Sequence, residues 1–139
     1  MSMSLFLLLP LDAPLKTVQL NEAAKKLDIP IIFNNDIDLG THSGFLPATV
    51  NNAKAGVEIL KLSFAEVSYI LRPNKDIDPE GTLVIQFRLG GDSNETLIAL
   101  YTALLYLSSF NGIAFDSMSN KYFNTEKLQQ NIDEILNHG

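Results

Sequence analysis

The sequence predicts an α+β fold in which a mainly antiparallel sheet packs against a buried helix and a C-terminal amphipathic helix. Short apolar runs separated by turn residues indicate the strands. Residues 93–110 are apolar almost all round, so that helix has to be enclosed by protein. Residues 125–137 carry apolar side chains at helical spacing. The length of 139 residues fits one domain, residues 1–139.

The N-terminal segment predicts a strand, a helix and a second strand. Residues 4–11 are continuously apolar, which is typical of a strand that is covered on both faces. Thr17 is the predicted N-cap of a helix whose apolar face starts at Leu20, and Pro30 helps to end it. The run PIIFNND then predicts a short strand that leads into a polar loop.

The middle of the chain predicts a hairpin and a half-buried strand. Residues 45–50 and 57–64 are β-rich runs separated by the turn-forming NNAKAG. Residues 65–71 fit both a helical face and a strand face, and we assign them to a strand. The run TLVIQFRL alternates as a strand with one buried face does. Its apolar face is expected to consist of Leu83, Ile85, Phe87 and Leu89, with Gln86 and Arg88 opposite.

The C-terminal segment predicts two helices and a short hairpin between them. The first helix, residues 93–110, has only a narrow polar stripe of Glu95, Thr102 and Ser109. Its main buried residues are expected to be Leu97, Leu100, Leu104 and Leu107. The runs GIAFD and KYF flank SMSN as a hairpin. The closing helix is expected to direct Leu128, Ile132, Ile135 and Leu136 inward.

The stretch RLGGDSNET, residues 88–96, invites interpretation as a phosphate loop or an active-site turn. If the helix begins at Ser93, Asp92 is its N-cap and Glu95 reaches back as in a capping box. Those two carboxylates repel phosphate, and the glycine spacings of nucleotide-binding loops are missing. We therefore predict a helix cap. Metal binding is the alternative, although two carboxylates alone hold a hydrated ion weakly.

Composition argues against several classes of function. Ten basic and sixteen acidic residues give a net charge of −6, which repels nucleic-acid phosphates. The apolar run 97–107 is well short of the roughly 20 residues that cross a bilayer. The N-terminus lacks the positive region and cleavage site of a signal peptide, and cysteine is absent. We expect a cytoplasmic protein that binds neither nucleic acid nor membrane and uses no cofactor.

Histidine and serine give no convincing catalytic set. His42 lies in a glycine-containing loop, and His138 lies in the terminal turn, so no two histidines have the spacing of a zinc site. Ser43 follows His42, but adjacent side chains rarely face one another and no G-x-S-x-G motif surrounds the serine. We therefore expect the protein not to be an enzyme and to hold no metal.

Two acidic loops have D-x-D spacings that can ligate a hard cation, but they lack the glycine and distal glutamate of an EF-hand. Solvated loops are the ordinary interpretation, and a patch that binds a basic protein is the alternative. The candidate partner-binding residues are Asp36, Asp38, Asp76, Asp78 and Glu80. An exposed aromatic beside them would favour binding, because aromatic anchors carry much interface energy. The aromatics concerned are Tyr69, Phe115, Tyr122 and Phe123.

Three segments, SGFLPATVNNAKAGVE, FRLGGDSNETLIAL and GIAFDSMSNKY, occur in an order that resembles small bacterial proteins related to immunity proteins of polymorphic toxin systems. The resemblance covers roughly the last hundred residues. It consists of a Gly-Phe-x-Pro strand, a Gly-aromatic-Glu strand, a Gly-Gly-Asp before an apolar helix, and a Gly-x-x-x-Asp turn. These places are filled by Gly44, Phe45, Pro47, Gly56, Glu58, Phe87, Gly90, Gly91, Asp92, Glu95, Gly112 and Asp116. Val57 stands where an aromatic residue would be expected.

The resemblance implies a non-catalytic protein-binding module. We expect a cytoplasmic immunity protein that neutralises a bacterial toxin by stoichiometric binding, and the acidic composition is compatible with a basic toxin domain. The alternative is a small enzyme or ligand-binding domain with a cleft around Arg88, Asp92 and Asp116. A homo-oligomeric structural protein is a third hypothesis.

Overall fold

Seven antiparallel strands and four helices make up residues 3–138, the part of the chain that the computed structural model describes. The strands are β1 (Met3–Pro10), β2 (Ile31–Phe33), β3 (Gly44–Val50), β4 (Ala53–Ser63), β5 (Thr82–Leu89), β6 (Ile113–Asp116) and β7 (Lys121–Phe123). The helices are α1 (Thr17–Lys26), α2 (Phe64–Val67), α3 (Ser93–Ser109) and α4 (Thr125–His138). The strands lie in the order β2-β3-β4-β5-β1-β6-β7. The predicted α+β class with a mainly antiparallel sheet is confirmed.

Strand β1 lies inside the sheet, as its continuous apolar run predicts. It pairs with β5 on one side and β6 on the other, so that Leu7 is opposite both Ile85 and Ala114. Leu7 belongs to the core between the sheet and the helices, whereas Phe6 and Leu8 belong to a smaller core on the opposite face. Both faces of β1 are therefore covered, which is why no polar alternation appears in its sequence.

Helix α3 packs across the sheet and is enclosed, as predicted. Leu97 and Leu100 are buried, whereas Leu104 and Leu107 are only partly buried and pack at the margin of the core. The predicted polar stripe is wrong at Thr102, which is fully buried. Its hydroxyl donates a hydrogen bond to the carbonyl of Ile98 at 2.6 Å, so the buried polar group is satisfied within the helix.

Helix α4 packs against α3 through the amphipathic face that its sequence predicts. Leu128 and Ile132 are fully buried, and Ile135 packs against the same core. Leu136 was expected to face inward, but it is 48% exposed. The packed face of α4 therefore consists of Leu128, Ile132 and Ile135.

The assignment of residues 65–71 to a strand is wrong. Helix α2 (Phe64–Val67) and a turn occupy these residues, because Ser63 and Glu66 form a reciprocal capping box. The Glu66 N–H donates to the Ser63 hydroxyl at 3.3 Å, and the Ser63 N–H donates to the Glu66 carboxylate at 3.0 Å. Two backbone donors are thus satisfied by side chains, which favours a helical turn over continuation of β4. Val67 packs into the smaller core.

The predicted hairpin of β3 and β4 is confirmed, with a tighter turn than the six residues NNAKAG suggest. Only Asn51 and Asn52 form the turn, with φ values of 49° and 68°. Two successive left-handed residues match the twist of a two-residue hairpin, and asparagine tolerates that conformation. The ring of Phe45 fills the space that a side chain at Gly56 would occupy, so this strand pair needs glycine there.

Thr17 is not the N-cap of α1, which corrects the sequence prediction. The cap position is Lys16, which makes no side-chain cap hydrogen bond. The Thr17 hydroxyl instead donates to the Asn35 carbonyl at 2.7 Å and accepts from the Ile37 N–H at 2.9 Å. The threonine therefore fixes the loop after β2 against the start of α1. Within residues 3–138, no helix combines the length and apolarity that a bilayer-spanning segment requires.

Candidate functional site

The stretch between β5 and α3 is a helix cap, as predicted. Asp92 is the N-cap of α3, and its carboxylate accepts the Glu95 N–H at 3.0 Å. Glu95 reaches back, but it accepts the N–H of Gly90 instead of that of Asp92. Gly91, between them, has a φ of 102°, which a residue with a side chain rarely adopts. Both carboxylates therefore stabilise the turn from strand to helix.

The three residues of the alternative ligand site, Arg88, Asp92 and Asp116, are not gathered around one cleft. Residues opposite each other in a ladder share a face of the sheet. Arg88 is opposite Ser4, whereas Asp116 is opposite Leu5, so the two side chains lie on opposite faces. Asp116 alone of the three lines a pocket on the helix-covered face.

That pocket lies between the ends of β1, β5 and β6 and the helices α3 and α4, and we call it the α3–α4 pocket. Its volume is about 260 Å³. It is lined by Met3, Leu5, Leu89, Thr96, Leu100, Asp116, Met118, Phe123, Asn131, Glu134 and Ile135. The walls are mostly apolar, and two carboxylates are the charged groups among these residues. Sequence analysis identified Asp116 but missed Glu134, because six elements separated in sequence build this pocket.

The candidate partner-binding acids divide between two loops. Asp36 is exposed and Asp38 is partly buried in the loop after β2, where Asp38 accepts the Gly40 N–H at 2.8 Å. Asp76, Asp78 and Glu80 are exposed in the loop between α2 and β5. In that second loop, Asp78 accepts the Glu80 N–H at 3.1 Å. Among the described residues, no group of three or more acidic, histidine or cysteine side chains is arranged to hold a metal ion.

One of the four aromatic residues named with these acids is strongly exposed. Tyr69 is 84% exposed and follows α2, on the same loop as the second acidic group. Phe115 is fully buried, and Phe123 is nearly so. The rings of Tyr122 and Phe115 pack edge to face, and the Tyr122 hydroxyl donates to the Arg72 carbonyl at 2.6 Å. Of these four aromatic residues, Tyr69 is thus the one with an exposed ring, and it lies in the loop between α2 and β5.

The sheet face opposite α1, α3 and α4 is only partly covered. Helix α2 and the loop after it cover β1, β5 and β6 on this side. Farther toward the β2 edge, Ile32 and Phe45 are exposed on the same face, each by more than half. Phe45 has a structural role over Gly56. The nearby His42 places Nε2 2.7 Å from the Phe45 carbonyl oxygen, so His42 supports this loop and does not pair with Ser43.

Two tyrosines and one glutamate have pKa values moved by their surroundings. Burial raises the pKa of the Tyr106 phenol, and the charge of Asp38 raises it further. Burial also raises the pKa of Tyr122. The hydrogen bonds from the Ser63 backbone and side chain lower the pKa of Glu66. Each of these groups makes a hydrogen bond that holds a loop or a helix terminus, so these shifts arise from structural contacts.

Comparison of the chain with protein-family models, with curated proteins and with solved structures found no match.

Proposed function

We propose that the protein is a non-catalytic protein-binding module, an immunity protein that neutralises a bacterial toxin by stoichiometric binding. The observation that carries the proposal is the exposure of Tyr69 on the loop that also presents Asp76, Asp78 and Glu80. We call the loop between α2 and β5, residues 68–81, the acidic loop. An exposed aromatic ring on the same loop as exposed carboxylates is suited to a partner that offers an apolar pocket rimmed by basic side chains.

The acidic loop is fixed to the rest of the protein by apolar packing and a hydrogen bond, which supports a role in binding. Ile70, Leu71 and Ile77 pack into the smaller core under the sheet, and the Arg72 carbonyl accepts the hydroxyl of Tyr122. A surface fixed in this way loses less conformational entropy when it binds than a free loop would lose. The carboxylate of Asp78 accepts one hydrogen bond within the loop, and a carboxylate has further acceptor sites for a partner's cation.

The net charge of −6 supports the same class of partner. An acidic protein attracts a basic toxin domain over distances of about one Debye length, roughly 8 Å at physiological salt. Such steering increases the association rate more than it increases the affinity. A toxin can be neutralised by covering its active site, so this mechanism uses a complementary surface and needs no catalytic group on the immunity protein.

The test is co-expression with the product of a neighbouring toxin gene. Growth should be restored, and the two proteins should form a one-to-one complex that weakens as salt increases. Tyr69→Ala and a combined Asp76→Asn, Asp78→Asn, Glu80→Gln variant should weaken the complex. The matched control is a combined Glu22→Gln, Glu126→Gln, Asp133→Asn variant, which removes three exposed carboxylates from α1 and α4. Persistent growth arrest without a complex at low salt would refute the immunity function.

A further inference from the structure

We propose that the α3–α4 pocket binds an aliphatic cation, an ammonium or guanidinium group carried on a short alkyl chain. The pocket lies at the end of β5 marked by Leu89, whereas the acidic loop precedes Thr82 at the other end of that strand. The inference therefore does not depend on the proposed function.

The pocket walls suit the alkyl part of such a ligand. Leu5, Leu100 and Phe123 are buried core residues that form part of the lining. Met3 and Met118 also contribute to the lining, and flexible thioether side chains adapt to ligands of different shape. An alkyl chain that enters this pocket removes apolar surface from water on both sides of the contact, which favours binding.

The carboxylates of Asp116 and Glu134 suit the ammonium or guanidinium group of such a ligand. Asp116 is partly buried and Glu134 is exposed, so a cation between them keeps partial contact with solvent. Ser119 donates its backbone N–H and its hydroxyl to Oδ2 of Asp116, at 2.9 and 2.7 Å. These two bonds fix the carboxylate through Oδ2. Within the described residues, Oδ1 of Asp116 accepts no hydrogen bond. Asn131 and Thr96 add polar groups to the same lining.

Lys121 lies directly opposite Asp116 in the β6–β7 ladder, so the two side chains share a face of the sheet. On that shared face, the positive charge of Lys121 reduces the attraction of the Asp116 carboxylate for a second cation. The two kinds of charge should therefore have opposite effects on the affinity for the cation. Removal of the Lys121 charge should strengthen binding, whereas removal of either carboxylate should weaken it.

The volume of about 260 Å³ limits the size of the ligand. Pockets for drug-sized ligands measure roughly 300–1,000 Å³. The α3–α4 pocket therefore encloses a group of the size of one long side chain, and a nucleotide or a large cofactor would extend out of it. A free alkylamine and the side chain of a lysine or arginine in a peptide share this chemistry.

The experiment is a titration of the 139-residue chain followed by NMR of the methionine methyl groups, with Met118 and Met3 as reporters. The probes are n-butylammonium and n-butylguanidinium, and the matched controls are n-butanol and butyrate. Both cations should shift the two reporters in a saturable manner, with weaker effects from butanol and none from butyrate. Acetyl-lysine-amide and acetyl-arginine-amide distinguish a peptide side chain from a free amine as the source.

Asp116→Asn and Glu134→Gln should each weaken binding of the cations about two- to fivefold, as expected for solvent-exposed ion pairs. Asn at position 116 keeps an oxygen that accepts from Ser119, so the turn is preserved. Lys121→Gln should strengthen binding by about twofold. The control Asp133→Asn changes a charge on α4 outside the lining. Equal binding of butanol and the cations, or the same affinity in all four variants, would overturn the proposal.

Discussion

The side-chain amide of Asn21 makes two hydrogen bonds with the backbone of Phe33. Its Oδ1 accepts the Phe33 N–H at 2.8 Å, and its Nδ2 donates to the Phe33 carbonyl at 3.0 Å. Phe33 ends β2, which is an edge strand of the sheet. The asparagine on α1 therefore occupies the positions at which a neighbouring strand would pair, and it shields this edge from other chains.

Asn21→Ala should decrease the free energy of unfolding by about 1–2 kcal/mol, because two backbone groups lose their partners. It should also produce self-association that increases with protein concentration, because the edge of β2 becomes free to pair. Urea denaturation and sedimentation measure the two effects. Gln19→Ala, at an exposed position of the same helix, is the control. An Asn21→Ala protein as stable and monomeric as the control would contradict this role.

Features that depend on neighbouring residues can be predicted from the sequence, whereas the contact between Asn21 and the edge strand cannot. The period-two alternation of β5 and the continuous apolar run of β1 are properties of neighbouring residues, and both were predicted from them. Asp92 was predicted as an N-cap for the same reason, since its partner Glu95 lies three residues away. Asn21 and Phe33 are twelve residues apart, and their contact depends on how α1 packs against β2.

The features that the sequence analysis did not predict are α2, the α3–α4 pocket and the exposure of Tyr69. Most of them depend on contacts between residues that are distant in sequence. The pattern Ser63-x-x-Glu66 is a local capping signal that could have identified α2, but the helix is too short to show apolar periodicity. The α3–α4 pocket brings together Met3, Leu89 and Ile135, which no local pattern connects. The candidate acids were identified from their D-x-D spacing, whereas the exposure of Tyr69 depends on how the turn after α2 packs against the sheet.

Tyr106→Phe should destabilise the protein by about 1–2 kcal/mol. The Tyr106 hydroxyl is the donor to the Pro14 carbonyl at 2.6 Å, and the ring is fully buried. Phenylalanine keeps the ring packing against Phe110 and removes only the donor. Urea denaturation at neutral pH measures the loss. Tyr69→Phe, at an exposed ring, should leave stability unchanged, and an equal loss in both variants would contradict the importance of the Pro14 contact.

The same tyrosine predicts how stability depends on alkaline pH. Burial, followed by the charge of Asp38, raises the pKa of Tyr106 above that of an unfolded tyrosine, which is about 10. Above pH 10 the unfolded chain releases this proton while the folded protein retains it, so stability decreases as pH increases. Between about pH 9 and about pH 11, the melting temperature of the wild type should therefore decrease more steeply with pH than that of Tyr106→Phe. Parallel pH profiles would refute this linkage.

Ser63→Ala should raise the pKa of Glu66 part of the way to its ordinary value. The Ser63 backbone N–H lowers this pKa most and remains in the variant, whereas the contribution of the hydroxyl is lost. In the wild type, the lowered pKa means that the carboxylate stabilises α2 at neutral pH. This stabilisation is lost as pH falls through the folded pKa. NMR titration of the Glu66 carboxyl carbon measures the shift, and an identical titration in both proteins would contradict the capping box.

Asp92→Ala should decrease the free energy of unfolding by about 1 kcal/mol, as the loss of a helix N-cap does. Asp92→Asn keeps an oxygen that accepts the Glu95 N–H and should retain most of the stability, so the pair of variants separates the hydrogen bond from the charge. The residual effect of the Asn variant then measures the interaction of the carboxylate with the helix dipole, which is a few tenths of a kcal/mol at an exposed site. Chemical denaturation supplies both values. If Asp92→Ala instead abolished a binding activity at unchanged stability, the residue would be part of a functional site and the cap would be incidental.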